Sequence, residues 1–324
     1  MKIGVIGAGG WGTALGSMLA EKGHDVTLWA YEKEVVNEIN SKKENSQYLS
    51  GVKLHPTTKA TEDLKSAVAG KEILITAIPS SFLREMARKV ATFISKETIV
   101  VSVTKGLEDN TFKRMSQILE EELGNKVVAL SGPNHAEEVS RKIPSATVIA
   151  SRHYAILDRV KSALEMPYFK VYPHDDVAGI EICGAIKNIT AIAVGVCDGL
   201  KLGDNTKGAI ITLGLTEMSA VGRAFGAKRA TFYGLAGVGD LIATCTSKHS
   251  RNRFVGERIA EGKNFDDIKK EMHGMVAEGI KTTKAVYDLM QKEGLSLPLT
   301  TQVYNVLYEE KELKKAINDL VTLL

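Results

Sequence analysis

The chain of 324 residues is longer than most single domains, so we expect two domains with separate cores. Hydrophobic residues make up 44% of it and charged residues 25%, a composition that excludes a largely disordered or collagen-like protein. The formal net charge of +3 is too small for a global field that attracts nucleic acid or anionic membrane, although it leaves room for a local basic pocket. A nucleic-acid partner is therefore not expected.

The N-terminal half alternates short β-branched runs with helical stretches. Most of these runs lack polar alternation, which indicates strands covered on both faces. Stretches such as 80–93 and 112–123 supply helices that connect the strands. The pattern predicts an α/β domain over residues 1–175 with a mostly parallel, doubly wound, Rossmann-like sheet. The predicted strands are residues 3–6, 26–29, 73–78, 98–103, 127–130 and 147–150.

The strand signal ends near Asp175, and helical periodicity takes over. Residues 176–324 are therefore predicted to form an all-α C-terminal domain. The predicted helices are residues 177–197, 206–226, 251–261, 279–292 and 298–320.

The cysteines and the N-terminus bear on the compartment of the protein. Cys183, Cys197 and Cys245 have no CxxC spacing, so we expect buried reduced thiols rather than disulfides or a zinc site. The first residues form a predicted strand rather than a signal peptide, and we expect no stretch with the ~20 apolar residues of a membrane span. We expect a cytoplasmic protein without a transmembrane segment.

A glycine-rich turn, Gly-Ala-Gly-Gly-Trp-Gly at residues 7–12, follows the first predicted strand and opens a helical stretch. This is the setting of the dinucleotide-binding fingerprint GxGxxG. In that fingerprint Gly7 permits the tight turn, Gly9 lets the backbone approach a pyrophosphate, and Gly12 lets the helix pack on the strand. The amides of the helix N-terminus then hold the phosphates. The alternative is a glycine-rich turn without a ligand.

The end of the second predicted strand leaves the cofactor open. An acidic residue there would bind the ribose of NAD, whereas a basic residue would accommodate the phosphate of NADP. Glu32 favours NAD, and Lys33 with Lys42 or Lys43 favours NADP. All of them also fit the solvated start of a helix, so the pattern predicts NAD or NADP without a preference.

Lys187 is the one charged residue in an apolar stretch over residues 182–197. A lysine inside such a helix must be paired, deprotonated or directed at a polar cavity. Burial lowers the pKa of a lysine, which would let it act as a general acid or base near neutral pH. The alternative is a lysine that extends to the rim of the core.

Further polar segments stand where ligands of such folds bind. Lys105 and the turn Ser-Gly-Pro-Asn-His-Ala at 131–136 each follow a predicted strand, and either is also compatible with an ordinary turn. Asp240 follows two glycines and is compatible with the N-cap of a helix from Leu241. Arg251 lies in a loop with a hydroxyl, an amide and a helix start, groups that suit a phosphate.

Motifs of other enzyme classes are missing from the sequence. The 7 histidines form no HxxxH or HExxH pattern, so no metal site is predicted. The sequence also contains no GxSxG motif and no Walker A motif, which argues against hydrolase and nucleoside-triphosphatase chemistry.

Over essentially its whole length the chain resembles the NAD(P)-dependent sn-glycerol-3-phosphate dehydrogenases of bacterial type. The resemblance lies in the glycine turn at 7–12, Thr-Lys-Gly at 104–106, Ser-Gly-Pro at 131–133, the segment 181–189, Gly-Val-Gly-Asp-Leu at 237–241 and Ser-Arg-Asn at 250–252. It implies a Rossmann-like domain followed by an all-α domain of the 6-phosphogluconate dehydrogenase type. It also implies reversible hydride transfer between sn-glycerol 3-phosphate and NAD(P), with dihydroxyacetone phosphate as the ketone, for phospholipid biosynthesis. A homodimer is compatible with it.

The resemblance assigns roles residue by residue. Lys187 would accept the proton in alcohol oxidation and donate it in ketone reduction, while Asp240 would bind the substrate or orient Lys187. The implied substrate-binding residues are Lys105, Gly132, Asn134, Lys187, Asp240, Ser250, Arg251 and Asn252. The implied cofactor-binding residues are Gly7, Gly9, Gly10, Trp11, Gly12, Tyr31, Lys105, Ala136, Arg251, Val276 and Glu278.

Two positions depart from the family pattern, and two other functions compete. Tyr31 stands where the family often has Arg or His, which removes a cation that would favour NADP, and Asn134 stands at a variable position. One competing function is a dehydrogenase of the same build that acts on a β-hydroxyacid. The other is a catalytically silent dinucleotide sensor, against which the retained Lys187 argues.

Overall fold

The structure is a computed structural model that describes residues 1–272 and 274–322. The chain divides into two compact units, Met1–Thr104 with Met115–Val177, and Lys105–Arg114 with the residues from Ala178 onward. The segment Lys105–Arg114, which falls inside the predicted domain 1–175, thus groups with the second unit. Residues 323 and 324 of the predicted domain 176–324 lie outside the described residues.

The first unit contains, within the described residues, an 8-stranded sheet in the order β3-β2-β1-β4-β5-β6-β7-β8. Neighbouring strands are parallel except β6 and β7, which are antiparallel. The order reverses at β1, as in a doubly wound Rossmann sheet. The predicted α/β class and mostly parallel sheet are therefore confirmed. The strands are β1 (Lys2–Ile6), β2 (Asp25–Trp29), β3 (Lys59–Thr61), β4 (Ile73–Thr76), β5 (Ile99–Ser102), β6 (Val127–Ser131), β7 (Ser145–Ala150) and β8 (Phe169–His174).

Helices cover this sheet and bury both of its faces. Val5 belongs to one hydrophobic cluster and the next residue of β1, Ile6, to another, so successive side chains enter cores on opposite sides. This two-sided burial explains why the strand sequences lack polar alternation. The helices are α1 (Gly10–Glu21), α2 (Lys33–Lys42), α3 (Leu64–Val68), α4 (Leu83–Ala91), α5 (Met115–Leu123), α6 (Ala136–Ser140) and α7 (Leu157–Leu164).

Two strands were not predicted, because their sequences carry only a weak strand signal. β3 spans only Lys59–Thr61. β8 alternates buried and exposed positions, ends in Pro173 and His174, and lies at the edge of the sheet. Proline is tolerated at such an edge but weakens the strand pattern in the sequence.

The second unit is helical, which confirms the predicted all-α fold of the C-terminal half. The predicted helix 298–320 is wrong in one respect, because the chain forms two helices that are separated between Tyr308 and Leu313. A short helix over Phe265–Glu271 was not predicted. The helices are α8 (Val177–Gly199), α9 (Gly203–Ala224), α10 (Asp240–Thr246), α11 (Arg251–Ala260), α12 (Phe265–Glu271), α13 (Glu278–Glu293), α14 (Pro298–Tyr308) and α15 (Leu313–Val321).

Helix α8 has 23 residues and is, by length and composition alone, apolar enough to cross a membrane. The expectation that no stretch meets this test was therefore wrong. The apolar part of α8 is completely buried inside the protein, as in the core helices of soluble proteins that pass the same test. Its apolar character is explained by this burial, and it is only weak evidence of a membrane span.

A buried carboxylate from α9 caps the start of α14. Glu217 is 2% exposed and accepts hydrogen bonds from the backbone N–H of Leu299, from the N–H of Thr300 at 3.0 Å and from its hydroxyl at 2.7 Å. These amides belong to the first turn of α14, whose N-cap residue offers no side-chain bond. Burial raises the pKa of Glu217 to about 7, against the opposing effect of these hydrogen bonds.

We predict that Glu217 makes stability depend on pH. Its pKa is higher in the folded than in the unfolded chain, so its stabilising contribution is complete below pH ~4.5 and is lost as the pH rises through ~7. In Glu217→Gln this titration is absent. Between pH 5 and pH 8 the unfolding free energy of the wild type should therefore fall, relative to that of the variant, by up to roughly 3 kcal/mol.

Urea unfolding of the intact protein at several pH values measures this difference. Glu293→Gln, at an exposed position on α13, is the matched control and should give a curve parallel to the wild type. Parallel curves for Glu217→Gln as well would contradict the prediction.

Candidate active site

The glycine-rich turn connects β1 to α1 with the local geometry that the fingerprint requires. Gly7 has φ = +109°, and a Cβ atom on it would lie 2.5 Å from the carbonyl oxygen of Ala77. A Cβ atom on Gly12 would lie 1.9 Å from the carbonyl oxygen of Gly7, so the helix start and the turn touch directly. Gly9 faces open space and precedes a helix N-terminus that no side chain caps. The first amides of α1 are therefore available for an anion.

Of the other predicted cofactor positions, Ala136 packs beside this turn, and Trp11, which belongs to the turn, packs against β8. A Cβ atom on Gly10 would lie 3.7 Å from the Cβ atom of Ala136, the first residue of α6. The ring of Trp11 lies 6.2 Å from that of Phe169 on β8, which fixes it against the core. Tyr31, after the end of β2, is in contrast 82% exposed.

Polar bonds from the loop after α2 brace the turn. The side-chain amide of Asn45 donates to the carbonyl oxygen of Ala8 and to the hydroxyl of Thr13, both at 2.8 Å, and Asn45 is completely buried. In the same loop the hydroxyl of Tyr48 donates to Glu32 at 2.8 Å. Glu32, the candidate ribose ligand, is thus held at the start of α2 by a hydrogen bond.

The loop after β6 carries Gly132 and Asn134. Gly132 has φ = +156°, and a Cβ atom on it would lie 3.0 Å from the Cα atom of Thr147. Asn134 donates from its amide to the carbonyl oxygen of Ala146 at 2.9 Å, while its side-chain oxygen is buried without a hydrogen-bond partner. The loop therefore keeps close to β7.

In the second unit, two lysines share one buried carboxylate. Asp240 is 2% exposed, and each of its oxygens accepts a bond of 2.7 Å, Oδ1 from Nζ of Lys187 and Oδ2 from Nζ of Lys105. Nζ of Lys187 also donates to the hydroxyl of Thr244. Lys187 is buried and Lys105 partly buried, so the three charges interact in a poorly solvated environment.

Burial and these charges set the protonation of the cluster. Burial lowers the pKa of Lys187 to about 8; the carboxylate of Asp240 opposes this, and the ammonium group of Lys105 adds to it. For Asp240, burial raises the pKa, but Lys105 and Lys187 outweigh it and hold the pKa below its usual value. Near neutral pH the cluster thus contains a carboxylate and an amine that can gain or lose a proton.

Two alternatives from the sequence are corrected by this geometry. Lys187 does not extend to the rim of the core, because it is 6% exposed and bonded to Asp240. Asp240 begins α10 without acting as a capping side chain, since the N-cap residue is Gly239 and makes no side-chain bond. The carboxylate of Asp240 is directed to the lysines instead.

The segment Ser-Arg-Asn at 250–252, whose groups suit a phosphate, forms a second polar cluster. Ser250 is the N-cap of α11, and its hydroxyl oxygen accepts from the N–H of Arg253 at 3.3 Å. Asn252 donates to the side-chain oxygen of Asn188 at 3.0 Å and accepts from the N–H of Gly279 at 2.9 Å. Because Asn188 follows Lys187 on α8, the two clusters meet on this helix.

Close contact of α8 with α11 brings the clusters together. A Cβ atom on Gly195 would lie 2.0 Å from the carbonyl oxygen of Arg253, and one on Gly256 would lie 2.0 Å from that of Ile192. Any larger residue at either glycine would separate the helices. The remaining predicted positions, Arg251 and Val276, are exposed, and Glu278 is half-buried at the start of α13.

Two residues of these clusters were missed as functional candidates. Thr244 lies four positions after Asp240 on α10, a spacing that places both on one helix face, and this spacing was the available signal. Asn188 stood next to Lys187 in the apolar stretch, but its contact with Asn252 depends on tertiary structure.

Comparisons with known proteins identify the family of the chain. The family models of the NAD-dependent glycerol-3-phosphate dehydrogenase N-terminus and C-terminus match residues 2–157 and 176–318. The chain belongs to this family.

Individual relatives cover nearly the whole chain. A glycerol-3-phosphate dehydrogenase [NAD(P)+] of Citrifermentans bemidjiense is 46% identical over 325 residues, 99% of this chain and 97% of the relative. The enzyme of that name from Clostridium botulinum is 44% identical over 320 residues, with the same coverage. The crystal structure of glycerol-3-phosphate dehydrogenase from Coxiella burnetii superposes with a TM-score of 0.95 at 38% identity, covering 99% of this chain and 98% of that one. Both curated names include NAD+ and NADP+, in agreement with the undecided cofactor signal at Glu32.

We predict that Lys187 titrates near pH 8 and that Asp240→Asn lowers its pKa further. Removing the carboxylate removes the charge that stabilises the ammonium form, so the pKa should fall by about 1 unit or more. Lysine Nζ signals in ¹⁵N NMR measure the titration, and Lys187→Met identifies the signal by its loss. Asp288→Asn, at an ion pair on α13, is the control and should leave it unchanged. A wild-type pKa of 10 or above would contradict the prediction.

Proposed function

We propose that this chain interconverts sn-glycerol 3-phosphate and dihydroxyacetone phosphate by hydride transfer to or from NAD(P). The observation that carries the proposal is the buried Lys187, with a pKa of about 8, against the carboxylate of Asp240. Membership of the glycerol-3-phosphate dehydrogenase family supports the substrate and the reaction. The bound nicotinamide supplies the acceptor or donor of the hydride.

Lys187 is the proposed proton acceptor and donor. In alcohol oxidation its neutral amine takes the proton of the hydroxyl on C2 while the hydride leaves the same carbon. In ketone reduction its ammonium group donates a proton to the alkoxide oxygen that develops at C2. A pKa of about 8 keeps both forms populated near neutral pH, which is the condition for efficient general acid and base catalysis.

Asp240 and Lys105 complete this proposed centre. Asp240 holds Nζ of Lys187 in a fixed direction and compensates its charge when it is protonated. Lys105 brings a second ammonium group to the opposite carboxylate oxygen, and we assign it to contacts with substrate and cofactor. Gly132 and Asn134 are assigned to the substrate as well, supported by the unpartnered side-chain oxygen of Asn134.

The substrate phosphate is assigned to Ser250, Arg251 and Asn252. Arg251 carries a guanidinium group that matches phosphate oxygens in geometry and charge. Ser250 and the start of α11 add a hydroxyl and backbone amides. The amide of Asn252 has a second N–H besides the one that donates to Asn188.

The dinucleotide is assigned to the glycine turn of the first unit. The turn fits a pyrophosphate because Gly9 faces open space and the start of α1 has no side-chain cap. We accordingly assign cofactor binding to a domain over residues 1–175 and substrate binding to one over 176–324. The assigned cofactor residues are Gly7, Gly9, Gly10, Trp11, Gly12, Tyr31, Lys105, Ala136, Arg251, Val276 and Glu278.

In the cell we propose that the enzyme supplies glycerol phosphate for phospholipids in the cytoplasm. All three cysteines are buried free thiols, which suits a reducing compartment. A homodimer is the proposed assembly, with small molecules rather than nucleic acid as ligands, in line with the net charge of +3.

We predict that Lys187→Ala lowers kcat with dihydroxyacetone phosphate by at least about 100-fold, the usual scale of general acid catalysis. Cofactor affinity, measured by NADH and NADPH fluorescence, should stay near that of the wild type. Lys187→Met, which keeps the side-chain volume, should behave in the same way. Lys269→Ala on the exposed side of α12 is the control. Near-normal turnover in Lys187→Met would refute the assignment. So would a wild-type enzyme that reduces a β-ketoacid instead of dihydroxyacetone phosphate.

We predict that Arg251→Ala weakens binding of the phosphorylated substrate in particular. Loss of a charged hydrogen bond costs about 1.5–3 kcal/mol, so KM for dihydroxyacetone phosphate should rise about 10- to 100-fold. At saturating cofactor, which removes the effect of the assigned cofactor contact of Arg251, turnover of unphosphorylated dihydroxyacetone should change little. Arg223→Ala, also exposed in the second unit, is the matched control. Equal losses with the two ketones would show that Arg251 does not bind the phosphate.

A further inference from the structure

Lys105 stands at the start of a loop that is closed on itself. The segment Lys105–Arg114, the Lys105 loop, contains an antiparallel bridge between Leu107 and Arg114. Inside it the N–H of Glu108 donates to the carbonyl oxygen of Lys113 at 3.0 Å, and the N–H of Phe112 donates to that of Glu108 at 3.0 Å. The end of the loop at Arg114 is therefore mechanically connected to the backbone next to Lys105.

A buried ion pair anchors the far end of this loop. Nη1 of Arg114 donates to Oε2 of Glu181 on α8, and the two side chains are 6% and 7% exposed. The near end is anchored by the bond from Lys105 to Asp240. A third contact places Nζ of Lys292 on α13 5.4 Å from the ring centre of Phe112.

The far anchor and the proposed proton carrier belong to the same helix. Glu181 and Lys187 lie six residues apart on α8, which corresponds to roughly 9 Å along the helix axis. Through the Arg114–Glu181 pair, α8 anchors one end of the Lys105 loop, and through Lys187 it presents the amine to the same carboxylate. The two ammonium groups that reach Asp240 are thus both connected to α8.

A buried ion pair is not needed for stability as such. Removing two charges from water is costly, and an apolar pair of similar volume is often equally stable or more so. What an apolar pair lacks is the fixed direction of a charged hydrogen bond. An ion pair at this place is therefore best explained by the geometry that it imposes.

We propose that Arg114 and Glu181 form a positioning pair that sets Lys105 against Asp240 and Lys187. The proposal rests on the proposed function, in which Lys187 carries the proton and Lys105 contacts substrate. In this proposal both members of the pair act through the Lys105 loop.

Glu181→Gln separates positioning from simple electrostatics, because the two predict opposite shifts. Loss of the anion alone would lower the pKa of Lys187. Retreat of the ammonium group of Lys105 would raise it, since Lys105 lowers that pKa in the intact cluster. In the pH profile of kcat/KM for glycerol phosphate oxidation, we expect the rising limb to move to higher pH by half a unit or more. We also expect kcat/KM to fall about 10- to 100-fold. Lys105→Met should move the limb in the same direction.

A limb that moves to lower pH, or wild-type kinetics in Glu181→Gln, would overturn the proposal. If this variant does not fold, the double variant Arg114→Met with Glu181→Met replaces it, because an apolar pair should restore the melting temperature. We expect the kinetic loss and the upward shift to persist there, and wild-type kinetics at a restored melting temperature would equally overturn it.

Two controls keep this test apart from the proposed function. Glu271→Gln, at an ion pair of the same unit, should leave the kinetics unchanged. Lys187→Met tests the proton carrier itself. If Lys187→Met keeps its turnover, the proposed function fails; if it loses turnover while Glu181→Gln behaves as the wild type, only the positioning role fails.

Discussion

The sharing of one buried carboxylate by two ammonium groups is the interaction on which the rest of the second unit depends. Asp240 is almost inaccessible to solvent. Its buried charge is tolerated because Lys105 and Lys187 each donate a hydrogen bond to one of its oxygens. These groups come from the Lys105 loop, from α8 and from α10. Each element must therefore be held accurately, and the close glycine contacts of α8 and the buried Arg114–Glu181 pair contribute to this.

Close approach of backbones is the second constraint. Gly195 and Gly256 let α8 touch α11, so that Asn188 reaches Asn252 and the start of α11 lies near the helix of the lysine. In the first unit Gly12 plays the corresponding part, since it lets α1 begin directly on the turn that ends β1. In both units glycine is required where a larger side chain would separate two backbones that carry the polar groups.

The sequence predicted the fold where its signals were strong and local. Long apolar runs and the glycine turn identified the central strands, and periodicity identified the long helices. It missed β3 and β8, because one is too short and the other lies at an edge. The sequence pattern also assigned Lys105 to a turn after a strand of the first domain, although the residue groups with the helical unit. The bonds among Lys105, Lys187 and Asp240 join residues 53 and 135 positions apart, and no local pattern encodes them.

The charges of the cluster also link anion binding to proton transfer. With both lysines protonated, these groups carry two positive charges and one negative charge, and this excess favours an anionic ligand, while burial and the ammonium group of Lys105 lower the pKa of Lys187. A phosphate bound nearby would balance the excess and raise that pKa. Lys187 would therefore hold its proton more firmly with a phosphorylated ligand in place, which suits donation to a ketone. A net charge of only +3 for the whole chain does not reveal this local balance, since the balance depends on three groups, of which Lys187 and Asp240 are buried and Lys105 is partly buried.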